Sequence, residues 1–241
     1  MSDRDRVLRE ILFPDASVSH SANELNLAPT LEELGDLAEL LAGDPAEEEL
    51  QKFLAHHSGF ITGLFGYADS STLAFFAKPR IGAKFVADFA VMVADQGASG
   101  ISLVEIEPST ERLFTKDLRP ARRYQIAIGQ ITEWREWIEP NQRTFCSDMV
   151  ARAQSLPEWP SRAENRSFRT MPADRLADSW RTFGGDDFPV ISYTIVCGRW
   201  ANLSAEERKR LMLLNAKGSP FQTLTHDQVA RTAFQRPFTD W

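Results

Sequence analysis

The 241-residue chain is poor in the residues that build covalent or zinc-held scaffolds. Its two cysteines, Cys146 and Cys197, lie far apart and without CxxC context. That spacing excludes a cysteine-framed zinc site and a disulfide scaffold, and it suits a reduced, cytoplasmic protein. Histidine is also scarce, and no two of the four stand at zinc spacing. A Cys–His nucleophilic enzyme is therefore a poor reading. No apolar run approaches the roughly 20 residues of a membrane span. The first residues, MSDRDRVLRE, are charged and have no apolar signal core behind them, so no membrane partner is expected. Internal repeats and low-complexity tracts are absent as well.

Apolar material is plentiful: 43% of residues are hydrophobic, with 16 Phe and 6 Trp. This supports a buried core in one domain, or one domain with an appendage. Taken as a whole, the net charge of −7 disfavours nucleic acid, but it is unevenly spread. Residues 1–50 hold 13 Asp and Glu against 3 Arg, leaving 21 acids against 24 bases in the remainder. The acidity belongs to the start, and the rest is mildly basic and rich in Arg, as phosphate contacts would require. Residues 1–43 read as an acidic, partly helical lead-in and 44–241 as the main domain.

Helical spacing of Leu31, Leu34, Leu37 and Leu41 predicts a helix over 31–42. A second helix is predicted to start at Asp44, with Pro45 in its first position and Glu47 in a capping box. GFITGLFG and TLAFFAKP read as short strands. Residues 84–94 alternate as one strand, DQGASG turns, and ISLVEIE (101–107) returns, which together read as a hairpin. An amphipathic helix follows over 121–138. Residues 140–187 are polar and yield no clear order. Strand 188–198, helix 205–217, strand FQTLT and helix HDQVARTAF complete an α/β (α+β) chain.

The hairpin carries the chemistry. Side chains alternate across a strand, so Ile101, Leu103, Glu105 and Glu107 share one face. If Asp88 faces the same way, three carboxylates converge and repel unless a cation joins them. Oxygen ligands of this kind suit Mg²⁺ or Mn²⁺, which activates water and clamps a phosphate oxygen. Gln130, on the polar flank of the next helix, would orient that water. Lys116 would supply positive charge to the developing phosphate. Alternate acids on a strand are ordinarily a solvated face; Asp88 argues otherwise because Val86, Ala90 and Met92 surround it in sequence.

Asp88, LVEIEP and GQITEW resemble the core of PD-(D/E)XK nucleases. More narrowly, EEELQKFLAHH, ADFAVMV, LVEIEPSTERLFTK, AIGQITEWREWI, IVCGRW and TLTHDQV resemble the Shedu anti-phage defence nucleases, over roughly residues 46–230. The resemblance implies a restriction-endonuclease-like core with a central mixed sheet flanked by helices. It implies a Mg²⁺- or Mn²⁺-dependent DNA endonuclease and a homo-oligomer, with Asp88 and Glu105 as metal ligands. One departure stands out. The residue two after Glu105 is usually Lys and here is Glu107. Either Glu107 is a ligand or base, or Lys116 replaces the missing cation, or the site is silent. The rival class is thus a nucleic-acid-binding or sensor protein on a nuclease scaffold.

Glu48 or Glu49 would be the acid that the first helix sometimes adds to such a site, although solvated surface charge is the commoner role. His56 and His57 suit a helix C-terminus, and His226 a local cap. Trp134 reads as core and Trp137 as its edge, rather than as base-stacking platforms. Arg122, Arg123 and Arg199 are the candidate phosphate contacts, with Lys209 and Arg210 as ordinary helix-surface charges. Arg199 is equally suited to pairing with a carboxylate.

Overall fold

The computed structural model describes residues 27–65, 73–95, 98–158, 167–175, 178, 180, 189–216 and 218–235. Helix α1 (Leu31–Ala42) is closed by a capping box between Thr30 and Glu33, and it buries Leu34, Leu37 and Leu41. Leu31, in the first turn, stays exposed instead. Helix α2 (Glu47–His56) starts later than its sequence signals suggest. Glu49 accepts the Ala46 amide at 2.8 Å, which makes Ala46 the cap, while Asp44 takes a left-handed φ of 51° outside the helix.

GFITGLFG, expected as a strand, is the buried helix α3 (Gly59–Leu64). A short apolar run does not distinguish the two conformations. Packing decides here. A Cβ on Gly63 would lie 3.1 Å from the Ala233 Cα of the last helix, so two backbones meet where a side chain would not fit.

β1 (Leu73–Ala77) precedes a small two-stranded sheet, β2 (Arg80–Ile81) with β3 (Phe85–Val86). β4 (Phe89–Asp95) and β5 (Ala98–Ile106) form the expected antiparallel hairpin, pairing Phe89 with Val104 and Asp95 with Ala98. The single strand expected over 84–94 is therefore two. The Ala87 amide turns aside to donate to the Pro79 carbonyl at 3.0 Å. This break puts Ala87 in the same apolar cluster as Ala90, not opposite it.

α4 (Arg122–Ser155) continues well beyond 138 and bends at Pro140 and Asn141. Pro140 leaves the Glu136 carbonyl without its helical donor, and at the bend the Asn141 side chain donates to the next carbonyl, that of Trp137, at 2.8 Å. β6 (Phe168–Arg169), β7 (Val190–Val196), α5 (Ala205–Leu214), β8 (Gln222–Leu224) and α6 (His226–Gln235) complete the described elements. Ser204 caps α5, as the sequence suggests.

The main sheet runs β6-β1-β4-β5-β7-β8. Pairing is antiparallel from β6 to β5 and parallel from β5 to β8, which makes β5 an interior strand of a mixed sheet. One face packs Ala90, Met92, Leu103 and Ile195 beneath α4, with Tyr124, Ile131 and Trp134. The other packs Phe89, Val91, Val104 and Val196 against α1, α2, α3 and α6. The sheet is thus flanked by helices on both faces, as the sequence reading expects, and α1 joins the second core. No described helix is long and apolar enough to cross a membrane.

Trp134 is 1% exposed within the first core. Trp134→Ala is expected to lower unfolding stability by about 3–5 kcal/mol in a urea titration, whereas the half-buried Trp137 should tolerate the same change with a smaller loss.

Candidate metal centre

β5 ends at Ile106, and the acids gather there. The β4–β5 pairing begins at Phe89 and Val104, the chain neighbours of Asp88 and Glu105. The Asp88 amide also donates to the Val104 carbonyl, at 3.1 Å, so Asp88 is an extra residue that shares Val104 with Phe89 at the start of β4. Glu107 lies just past the strand, its amide held by the Val196 carbonyl at 2.8 Å. Asp88, Glu105 and Glu107 thus gather at one sheet end, and they are only 5%, 7% and 3% exposed.

Asp88 is well supplied with donors. Oδ2 accepts the Ile106 amide at 2.7 Å, and Oδ1 accepts Gln51 Nε2 at 2.9 Å and the Lys78 ammonium. Burial still raises its carboxyl above the usual range, opposed chiefly by Lys78. Glu105 has less support. Its Oε2 is buried without a hydrogen-bond partner. Burial, then the charges of Asp88 and Glu107, push its carboxyl up to about 9. Glu107 Oε2 is also buried without a hydrogen bond, although Arg123 approaches it at 3.8 Å. Burial and then the Glu47 charge raise Glu107 to about 7, with Arg123 opposing.

The helix acid nearest this cluster is Glu47, which neither end-of-strand signal nor charge pattern singled out. Glu47 accepts from Gln51 at 3.0 Å and faces Arg123 at 3.9 Å. Glu48 instead pairs with Lys52 at the surface, and Glu49 caps α2. Glu47 and Gln51 are four residues apart on one side of a helix, beside the buried Leu50 and Leu54. That spacing was readable; its direction toward β5 was not. Lys78 was also missed, because its place opposite Asp88 depends on the long-range pairing of Ala77 with Phe89.

The other expected residues are distributed differently. Lys116 is exposed in the loop before α4 and makes no ion pair with the carboxylates. Gln130 is half-buried on α4 and makes no hydrogen bond to them. Arg122 is exposed at the start of α4, and Arg123 adjoins Glu107. Arg199 is buried rather than presented to solvent: its Nε donates to Asp227 at 2.7 Å and Nη1 to the Leu41 carbonyl at 3.4 Å. His226 is also buried, donating from Nε2 to the Glu107 carbonyl at 2.8 Å, and burial pushes its imidazole down to about 4. The buried Cys146 and Cys197 thiols are pushed up to about 11 and about 12 by burial.

Among the described residues, no three His, Cys, Asp or Glu side chains form a ready ligand cage. Mg²⁺ does not need one, since it is commonly held by one or two carboxylates with retained waters. Asp88 and Glu105 have the right donor chemistry for a hard cation. The unpartnered oxygens of Glu105 and Glu107 are the buried atoms such an ion would satisfy.

Glu105 titrates near 4.5 when solvated and about 9 here. The folded chain then holds a proton that the unfolded chain releases, so this contribution to stability is full below the lower value and is lost as pH rises toward the upper one. In EDTA, the melting temperature should fall from about pH 6 to about pH 9, and Glu105→Gln should remove much of that fall. Equal slopes in the two proteins would contradict the assignment.

Comparison with known families gives a match to the family described as Shedu protein SduA, C-terminal, over residues 44–229. No curated protein matches the chain. The family match runs from the residue before Pro45 to Val229 in α6, enclosing the carboxylate cluster, Lys78, Arg199 and His226. With most of its length matched, the chain belongs to the Shedu SduA C-terminal family.

Proposed function

We propose that the chain is a Mg²⁺- or Mn²⁺-dependent endonuclease of the PD-(D/E)XK kind, acting on DNA in anti-phage defence. Family membership supports the defence role. The observation that carries the chemistry is the pair of buried, unpartnered oxygens on Glu105 and Glu107 beside Asp88. A DNA substrate and a homo-oligomeric state belong to the same reading.

Asp88 and Glu105 would hold the ion through their carboxylates. When bound, the ion lowers the pKa of a coordinated water and offsets charge on the phosphate. Glu107, titrating at about 7, is suited to accept a proton near neutral pH. It takes that proton from the attacking water as the water oxygen bonds to phosphorus. The bond from phosphorus to the leaving sugar oxygen breaks, and that oxygen is protonated from solvent. Arg122 and Arg123 begin the helix adjoining the acids and suit contact with backbone phosphates.

One observation favours a silent binding or sensor protein instead. Lys78, Gln51 and the Ile106 amide already satisfy Asp88. A cation-binding site that its own lysine neutralises could serve as a scaffold alone.

Supercoiled plasmid and single-stranded DNA, each tried with Mg²⁺, Mn²⁺ or EDTA, separate these readings. The nuclease reading expects metal-dependent cutting that drops by about a thousandfold or more in Glu105→Ala. DNA binding without metal, and no cutting under any of these conditions, would favour the silent protein.

A further inference from the structure

Lys78 follows β1 and has no assigned role beyond pairing with Asp88. Its backbone is unusual for a side-chain-bearing residue, with φ at 54°. Left-handed backbone at a non-glycine residue persists where surroundings enforce it, and such positions gather at functional sites. Here the Lys78 amide donates to the Asp88 carbonyl at 2.8 Å, and the Ala87 amide to the Pro79 carbonyl at 3.0 Å. The chain thereby turns back so that the ammonium meets the acids. Nζ donates to Gln51 Oε1 at 2.7 Å and to Asp88 Oδ1.

An ammonium has three donors, and these two bonds leave one unassigned. The side chain is 53% exposed, so the fixed ammonium is open to an incoming ligand. The remaining candidate cations are less well placed. Lys116 is exposed in its loop, Arg199 is buried on Asp227, and Arg123 approaches Glu47 and Glu107 at 3.9 and 3.8 Å without a hydrogen bond.

We propose that Lys78 is a further phosphate-contacting cation, the one fixed at the carboxylates themselves, its third N–H donating to a non-bridging oxygen of a nucleic-acid phosphodiester. The proposal rests on the nuclease reading and names a residue that reading leaves unassigned. Its physical reason is charge. The carboxylates of Glu47 and Asp88, and of Glu107 once ionised, would repel an anionic phosphodiester, and a fixed ammonium at their edge lets the phosphate approach. Charge building on the phosphate oxygen during displacement strengthens the same bond. Glu107 thus stands where a lysine is usual, while Lys78 brings the ammonium from another strand.

The test uses the full chain and labelled single- and double-stranded oligonucleotides, bound in EDTA across a salt series. Lys78→Met should weaken binding about tenfold and reduce the salt slope by about one phosphate contact. Lys78→Arg should retain most of the affinity. The same comparison in an Asp88→Asn background separates phosphate contact from simple neutralisation of Asp88, because the neutral amide no longer needs a cation. Loss of affinity and slope in both backgrounds supports the proposal. Loss only beside an intact Asp88, no loss at all, or no binding by the parent protein overturns it. Cutting in Mg²⁺ is read in parallel, and Lys78→Met should slow it about a hundredfold. If the parent never cuts, the nuclease reading fails, while the binding comparison still decides the role of Lys78.

Discussion

A carboxylate taken out of water must find donors, a cation or a proton. At the end of β5 three neighbouring carboxylates meet that demand differently. Asp88 finds donors in Gln51, Lys78 and the Ile106 amide. Glu107 has Arg123 at ion-pair distance. Glu105 has an unpartnered oxygen and a pKa near 9, so in the absence of an added ion a proton neutralises it at ordinary pH. This demand accounts for local features that otherwise look unrelated: the polar side of α2, the left-handed backbone at Lys78 and the strand break at Ala87.

The fold behind the cluster keeps it in place. His226 ties α6 to the Glu107 carbonyl, and as a neutral buried imidazole it does so without adding charge. Asp227 receives Arg199 and the Trp200 amide, and Arg199 also reaches the Leu41 carbonyl at the end of α1. The GRW and THDQ segments therefore act as braces. They join α1, α6 and the end of β7 around the acid-bearing strand. Arg199 is fully engaged in this brace, which explains why its charge is turned inward.

Much of this was legible in local patterns. Period-two alternation located β5 and β7, and parity put Glu105 and Glu107 on one face. Leucine spacing at helical period located α1. The misreadings share a cause. Gly59–Leu64 is helical because Gly63 meets Ala233 far along the chain, and α4 extends through Pro140 because its apolar residues, Phe145 and Met149 among them, keep finding the core. Likewise, Lys78 and Glu47 reach the site through strand and helix packing that no short window contains. Lys116, expected to supply positive charge, lies exposed in its loop.

Calorimetric titration with Mg²⁺ and with Mn²⁺ near pH 8, in buffers of different ionisation enthalpy, tests the central claim most directly. If a divalent ion replaces the proton on Glu105, binding should release about one proton. Glu105→Gln should abolish that release and weaken the binding. An absence of binding heat, or equal affinity and proton release in both proteins, would contradict a metal centre at the end of β5.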